Sequence, residues 1–122
     1  MLDIIEKRRK EKERLIKRAR EFIQRARKFG RISVILYGSV ARGDFNVWSD
    51  IDLIVVAEKF PESMLRRQDV LLTLKVPKIE PKGYTKEEFE KMIRLKSPFI
   101  KILKKEGIFI LDELNLKRLM LK

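Results

Sequence analysis

Leu15, Ile16, Ala19, Phe22, Ile23, Ala26 and Phe29 recur at steps of three and four, the spacing of one face of an α-helix, and Gly30 supplies its stop. This predicts an N-terminal helix within residues 1–30. Residues 6–14 carry no apolar stripe, so its first turns are expected to project or fray. Ile32-Ser33-Val34-Ile35-Leu36-Tyr37 and the stretch from Ile51 to Val56 are apolar and rich in β-branched residues, the pattern of buried strands. Pro61 and Glu62-Ser63 open a helix with Met64, Leu65, Leu71, Leu72 and Leu74 as its expected buried face. A short extended piece follows from Val76 to Pro81. Thr85-Lys86-Glu87-Glu88 has the form of a capping box before Phe89, Met92 and Ile93. Ser97-Pro98 restarts a helix with Pro at its first position, Gly107 ends it, and Ile108-Phe109-Ile110-Leu111 reads as a last strand.

Strands that alternate with helices in 122 residues make one α/β domain with a single core. No run approaches the roughly 18 apolar residues of a membrane span, and the basic N-terminus lacks the apolar stretch of a signal peptide. The expectation is a cytoplasmic protein without membrane association. With no cysteine and no histidine, disulfides, thiolate or imidazole metal ligands and the usual general base are excluded.

The candidate chemistry sits where the two strong strands end. Gly38-Ser39 follows the first, and Asp50-Ile51-Asp52 opens the second. Gly38 lets the backbone bend sharply out of the strand and lets a phosphate approach peptide N–H groups. With Val40-Ala41-Arg42 beginning a helix, Ser39 is expected as its N-cap, in a turn suited to a triphosphate. Asp50 and Asp52, two apart on a strand, project from one face. Two such carboxylates repel unless a cation lies between them, and hard oxygen ligands favour Mg²⁺ or Mn²⁺.

Flanking residues leave alternatives open. Arg42 either reaches nucleotide phosphates or braces Asp44 or Asp50. Ser49 either orients Asp50 or caps the turn before the strand, and Gly43 reads as turn chemistry. Trp48 and Tyr37 either stack on a base or pack at the strand boundary.

The net charge of +12 concentrates in residues 7–28, with Lys101, Lys104, Lys105, Lys117, Arg118 and Lys122 adding to it. Such a surface attracts nucleic acid, nucleotides or an acidic protein. Interleaved Glu6, Glu11, Glu13 and Glu21 equally suit a solvated helix face.

The segments Gly38-Ser39-Val40-Ala41-Arg42-Gly43 and Ser49-Asp50-Ile51-Asp52-Leu53 resemble the signature of the nucleotidyltransferase superfamily that includes DNA polymerase β. Together with the short length and Glu80-Pro81-Lys82-Gly83-Tyr84-Thr85-Lys86-Glu87-Glu88-Phe89-Glu90, they look like the minimal nucleotidyltransferases of archaea and bacteria. The resemblance covers roughly residues 31–111. It implies a nucleotidyltransferase fold, a short mixed sheet flanked by helices, with 31–111 as catalytic core and 112–122 as a C-terminal tail. It implies Mg²⁺-dependent transfer of a nucleoside monophosphate, AMP from ATP above all, to an acceptor hydroxyl. Gly38, Ser39, Arg42 and Ser49 would then bind the nucleotide, and Asp50 and Asp52 would hold metal. By position Glu80 would be the third acid, which helps hold metal and deprotonates the attacking hydroxyl; it is a glutamate where aspartate is more usual. Relatives of this size are often paired with a small helical HEPN-type protein in toxin–antitoxin modules. A non-catalytic subunit that neutralises such a partner, and a nucleic-acid-modifying transferase guided by the basic helix, are the alternatives.

Overall fold

The structure, a computed structural model, describes residues 3–46 and 48–122. Helix α1 (Ile4–Ala26) is capped by the Asp3 side chain, which accepts the Glu6 N–H at 2.8 Å. It ends in a 3₁₀ turn (Arg27–Phe29) and Gly30, whose φ of 84° only glycine adopts without strain. The helix begins well before its apolar stripe. Leu15, Ala19, Phe22, Ile23 and Ala26 are buried, whereas no residue of its first eleven is.

Strand β1 (Ile32–Tyr37) leads into the one-turn helix α2 (Gly38–Arg42), and β2 (Ile51–Ala57) returns antiparallel to β1. Helix α3 (Met64–Leu72) crosses to β3 (Ile79–Thr85), which runs parallel to β2. Helices α4 (Lys86–Arg94) and α5 (Pro98–Glu106) precede β4 (Ile108–Asp112), which pairs antiparallel with the free side of β1, and α6 (Leu116–Met120) closes the chain. The strand order is β3-β2-β1-β4, a mixed four-stranded sheet.

Alternation along the strands divides the core in two. Val34, Leu36, Leu53 and Val55 pack towards α1 and α3 with Phe22, Phe29 and Leu71. Ile35, Ile54 and Val56 pack on the opposite face with Phe89 of α4, Ile100 and Leu103 of α5, and Leu116 and Met120 of α6.

Several expectations need correction. Residues 112–122 are not a tail, because Leu114, Leu116 and Met120 are core residues. Their docking is fixed by Ser33: its buried hydroxyl donates to Asp112 Oδ1 at 2.7 Å and accepts the Leu114 N–H at 3.1 Å. Asp112 in turn caps α6 by accepting the N–H groups of Leu116 and Lys117. The extended piece expected at Val76 to Pro81 is displaced, starting at Ile79 and running to Thr85, because pairing with all of β2 decides its span. In α3, Met64, Leu65 and Leu72 are exposed and only Leu71 is a buried apolar residue.

The inner face of α3 is instead held by Arg67, 1% exposed. Its guanidinium donates to the carbonyls of Pro61, Glu62 and Gly83, each at 3.0 Å, and to Glu88 at 2.8 Å. A buried cation is tolerable only when so fully paired. The same Glu88 accepts the Thr85 N–H at 2.7 Å and completes the capping box of α4. Arg67 thereby ties α3, β3 and α4 together.

Candidate active site

Register brings three predicted positions into one transverse row. Tyr37 on β1 is the cross-strand partner of Asp52 on β2, and Asp52 is the partner of Glu80 on β3. Directly opposed residues share a face and stand close. The row crosses one end of the sheet on the side of α4 to α6, just beyond the buried Ile35 and Ile54. Asp50, two residues before Asp52, adds its charge to the same group: Asp52 is held above the ordinary carboxylate range by burial first, then by the charges of Glu80 and Asp50. The carboxyls of Asp52 and Glu80 are also within hydrogen-bonding reach of each other. Tyr37 lies half-buried with its ring edge-on to Phe99, 5.5 Å between centroids. Burial first, and then Asp52, push its phenol up to about 12, so it stays protonated at neutral pH.

Lys82 is the counterweight. Two residues beyond Glu80 on β3, it shares the face of the acids, and its charge draws the Asp52 carboxyl back down. The alternation from Glu80 to Lys82 was the available signal in the sequence.

Gly38 has a φ of 76° and stands directly over Asp52. Ser39 is not the N-cap of α2. The helix starts at Gly38, two residues before the expected Val40, with the extended Tyr37 in the cap position and no side-chain cap bond, because Gly38 itself turns the chain and takes the first helical place. The Ser39 carbonyl receives the N–H of Gly43 at 2.9 Å and of Asp44 at 3.1 Å, which closes the turn.

The surrounding polar residues sort themselves by contact. Ser49 caps its turn: Oγ accepts the Asn46 N–H at 3.0 Å. Arg42 braces Asp44, with Nε 3.2 Å from Oδ2, and also meets Glu106 at 3.2 Å. Glu106 was not anticipated. From the last turn of α5 it accepts the Gly38 N–H at 3.4 Å, so one carboxylate holds both a donor of the glycine turn and the Arg42 guanidinium. Sixty-four residues separate Glu106 from Arg42, and no local pattern announces such a contact. Trp48, far from packing at the boundary, is 86% exposed.

Among the described residues no three acidic side chains converge as a ready-made metal cage. The donor set nonetheless suits a hard divalent ion. Asp50, Asp52 and Glu80 offer only oxygen, and the mutual repulsion that raises Asp52 is what a cation would relieve. Among the described residues, no helix is long and apolar enough to cross a membrane.

Residues 16–110 match the family described as nucleotidyltransferase domain. A Methanocaldococcus jannaschii protein, provisionally named a protein adenylyltransferase, is 46% identical over 54 residues, which are 42% of this chain and 37% of that protein. The matched stretch thus spans little more than a third of the relative's length. A crystal structure from Sulfolobus solfataricus, provisionally described as a nucleotidyltransferase, superposes with a TM-score of 0.63 over 84% of each chain at 21% identity, and so shares the fold.

Proposed function

The chain belongs to the nucleotidyltransferase domain family, and on that premise we propose that it transfers AMP from ATP to an acceptor hydroxyl. The observation that carries this reading is the row Tyr37, Asp52 and Glu80, which ends beneath the Gly38 turn. Asp50 and Asp52, with Glu80 beside them, would hold Mg²⁺ or Mn²⁺, which supplies charge neutralisation for the triphosphate when bound. Gly38, Ser39, Arg42 and Lys82 would receive the phosphates, while Ser49, which caps the turn before Asp50, would keep the strand entry in place. Arg42 would exchange Glu106 for a phosphate oxygen. In the reaction the acceptor oxygen bonds to the α-phosphorus, the bond to the β-phosphate oxygen breaks, and pyrophosphate leaves. Glu80 takes the hydroxyl proton, acting as general base. Neutral Tyr37 is a hydrogen-bond donor on the same face.

The acceptor we assign is a hydroxyl on a HEPN-type helical protein, with this chain the antitoxin of a cytoplasmic toxin–antitoxin pair. Support comes from the motif resemblance and from the provisional protein adenylyltransferase name of the M. jannaschii relative. The test is to incubate wild-type and Glu80→Gln protein with α-labelled ATP, Mg²⁺ and the product of the adjacent gene. Glu80→Gln should keep its nucleotide affinity and lose on the order of 10²-fold in transfer. Equal transfer by both would remove Glu80 from the chemistry. Absence of transfer by wild type, with the partner still bound, would make the chain a non-catalytic subunit.

A further inference from the structure

At 23 residues helix α1 is about 35 Å long, whereas the six residues of β1 span only about 20 Å. The buried stripe occupies the second half of the helix, so the first half continues past the sheet. It does so at the catalytic end. Arg8 pins it there: Nη2 donates to the carbonyls of Gly43 at 2.9 Å and Phe45 at 2.6 Å, with the guanidinium 4.9 Å from the Phe45 ring centroid. Those carbonyls belong to the loop that runs from the Gly38 turn to Asp50.

This anchored half is dense in cations with few partners. Glu6 and Glu13 both turn to Arg9, each at 3.6 Å. Among the described residues no hydrogen bond or ion pair engages the side chains of Lys7, Lys10, Lys12 or Arg14. By itself that is a solvated helix face. The same loop, however, carries Trp48 with its ring in water and its backbone fixed: the Trp48 N–H donates to Asn46 Oδ1 at 2.8 Å. Asn46 also lines a crevice with Lys7, Arg8, Glu11 and Phe45, which joins the tryptophan loop to the helix. A large aromatic ring left out of the core, on a loop that Arg8 ties to a helix with unpartnered cations, offers a stacking face and phosphate contacts together, the two elements by which proteins hold single strands.

We infer that the overhanging half of α1 and Trp48 form a docking surface for a single-stranded polynucleotide. Trp48 stacks on one base, and Lys7, Lys10 and Arg14, which share one helix face at steps of three and four, run beside the phosphates. The strand lies two residues from Asp50, where a terminal hydroxyl can enter the site. The inference goes beyond the protein acceptor proposed above, and binding can be measured without nucleotide or metal, so it fails or holds apart from transfer.

Trp48 is the chain's single tryptophan, and its fluorescence reports this surface alone. Titration with short oligoadenylate and oligodeoxyadenylate should quench it saturably, with affinity falling with salt at a log–log slope of roughly −0.7 per phosphate contacted. Preference between the two arms tells whether the 2′-hydroxyl is read. Trp48→Ala, followed by anisotropy of labelled strand, should weaken binding roughly tenfold. A Lys7→Gln, Lys10→Gln, Arg14→Gln variant should flatten the slope by about two units. Three results would each overturn the inference: no binding of either strand at low salt, binding indifferent to these variants, or equal competition by polyglutamate, which would mark an acidic protein as the occupant.

Discussion

Gly38 lies against the carboxylate of Asp52: a Cβ added to Gly38 would collide with Asp52 Oδ2 and come within 3.2 Å of Cγ. The glycine is therefore demanded by the acid beneath it as well as by its φ of 76°. A motif that reads as two separate halves is one contact.

Gly38→Ala should destabilise the fold by about 1–2 kcal/mol from the left-handed backbone alone, with a further loss from the collision. In an Asp52→Ala background the nearest remaining side-chain atom is Cβ at 3.5 Å, ordinary contact, so only the backbone cost should persist. Urea unfolding of the four proteins gives the coupling, and strict additivity would contradict the contact.

Asp52 titrates above its ordinary 3.8, so the folded chain binds a proton that the unfolded chain has already released. Stability contributed by this group accordingly falls as pH rises through that window and stays lowered above it. Asp52→Asn should raise Tm at neutral pH by a few degrees, and the gain should vanish as pH drops towards 3.8. Mg²⁺ should raise Tm of the wild type and leave Asp52→Asn unmoved. A variant that melts lower than wild type at pH 7 would refute the repulsion argument.

Glu106 holds the Gly38 N–H and Arg42, the groups a triphosphate would use. Glu106→Gln removes a negative charge that competes with phosphate, and we predict ATP binding tightened by roughly two- to tenfold, which is about 0.4–1.4 kcal/mol. Calorimetry with a non-hydrolysable analogue decides it. Weaker binding would mean that Glu106 shapes the turn and does not contest the ligand.

Arg67→Met should cost about 3–5 kcal/mol, because it strips the Glu88 pairing and leaves three carbonyls without their donor. A urea midpoint within error of wild type would show that water replaces the guanidinium. Gly83→Ala should fail for a related reason: its Cβ would stand 2.8 Å from Arg67 Cδ and 2.9 Å from Leu71 Cδ1.

Local signals in the sequence served where the physics is local. The β-branched runs became β1 and β2, the Thr85 capping box formed with both its bonds, and Pro98 and Gly107 bracket α5. Asp52 and Glu80 were legible as a pair because each lies on an identifiable strand. The burial of Arg67 escaped notice because its partners come from residues 61, 62, 83 and 88, and an arginine in an amphipathic pattern reads as solvated. Glu106 and the Ser33 to Asp112 bond that docks the C-terminus are likewise contacts across the sheet. Trp48 shows the converse: hydrophobicity alone predicts packing, and only the loop's geometry leaves the ring outside.

The parallel pairing of β2 with β3 has a consequence for when the protein becomes competent. An antiparallel β1–β2 unit can form from a short loop and already carries Gly38, Asp50 and Asp52, yet Glu80 arrives only after α3 has crossed over and β3 has found its register. The crossover also requires the Arg67 clasp to Gly83 and Glu88. Partly folded chains thus hold the first two acids without the third, and the Asp52–Glu80 pair exists only once this crossover pairing has closed. Closure of the crossover and assembly of the proposed acid pair are one event.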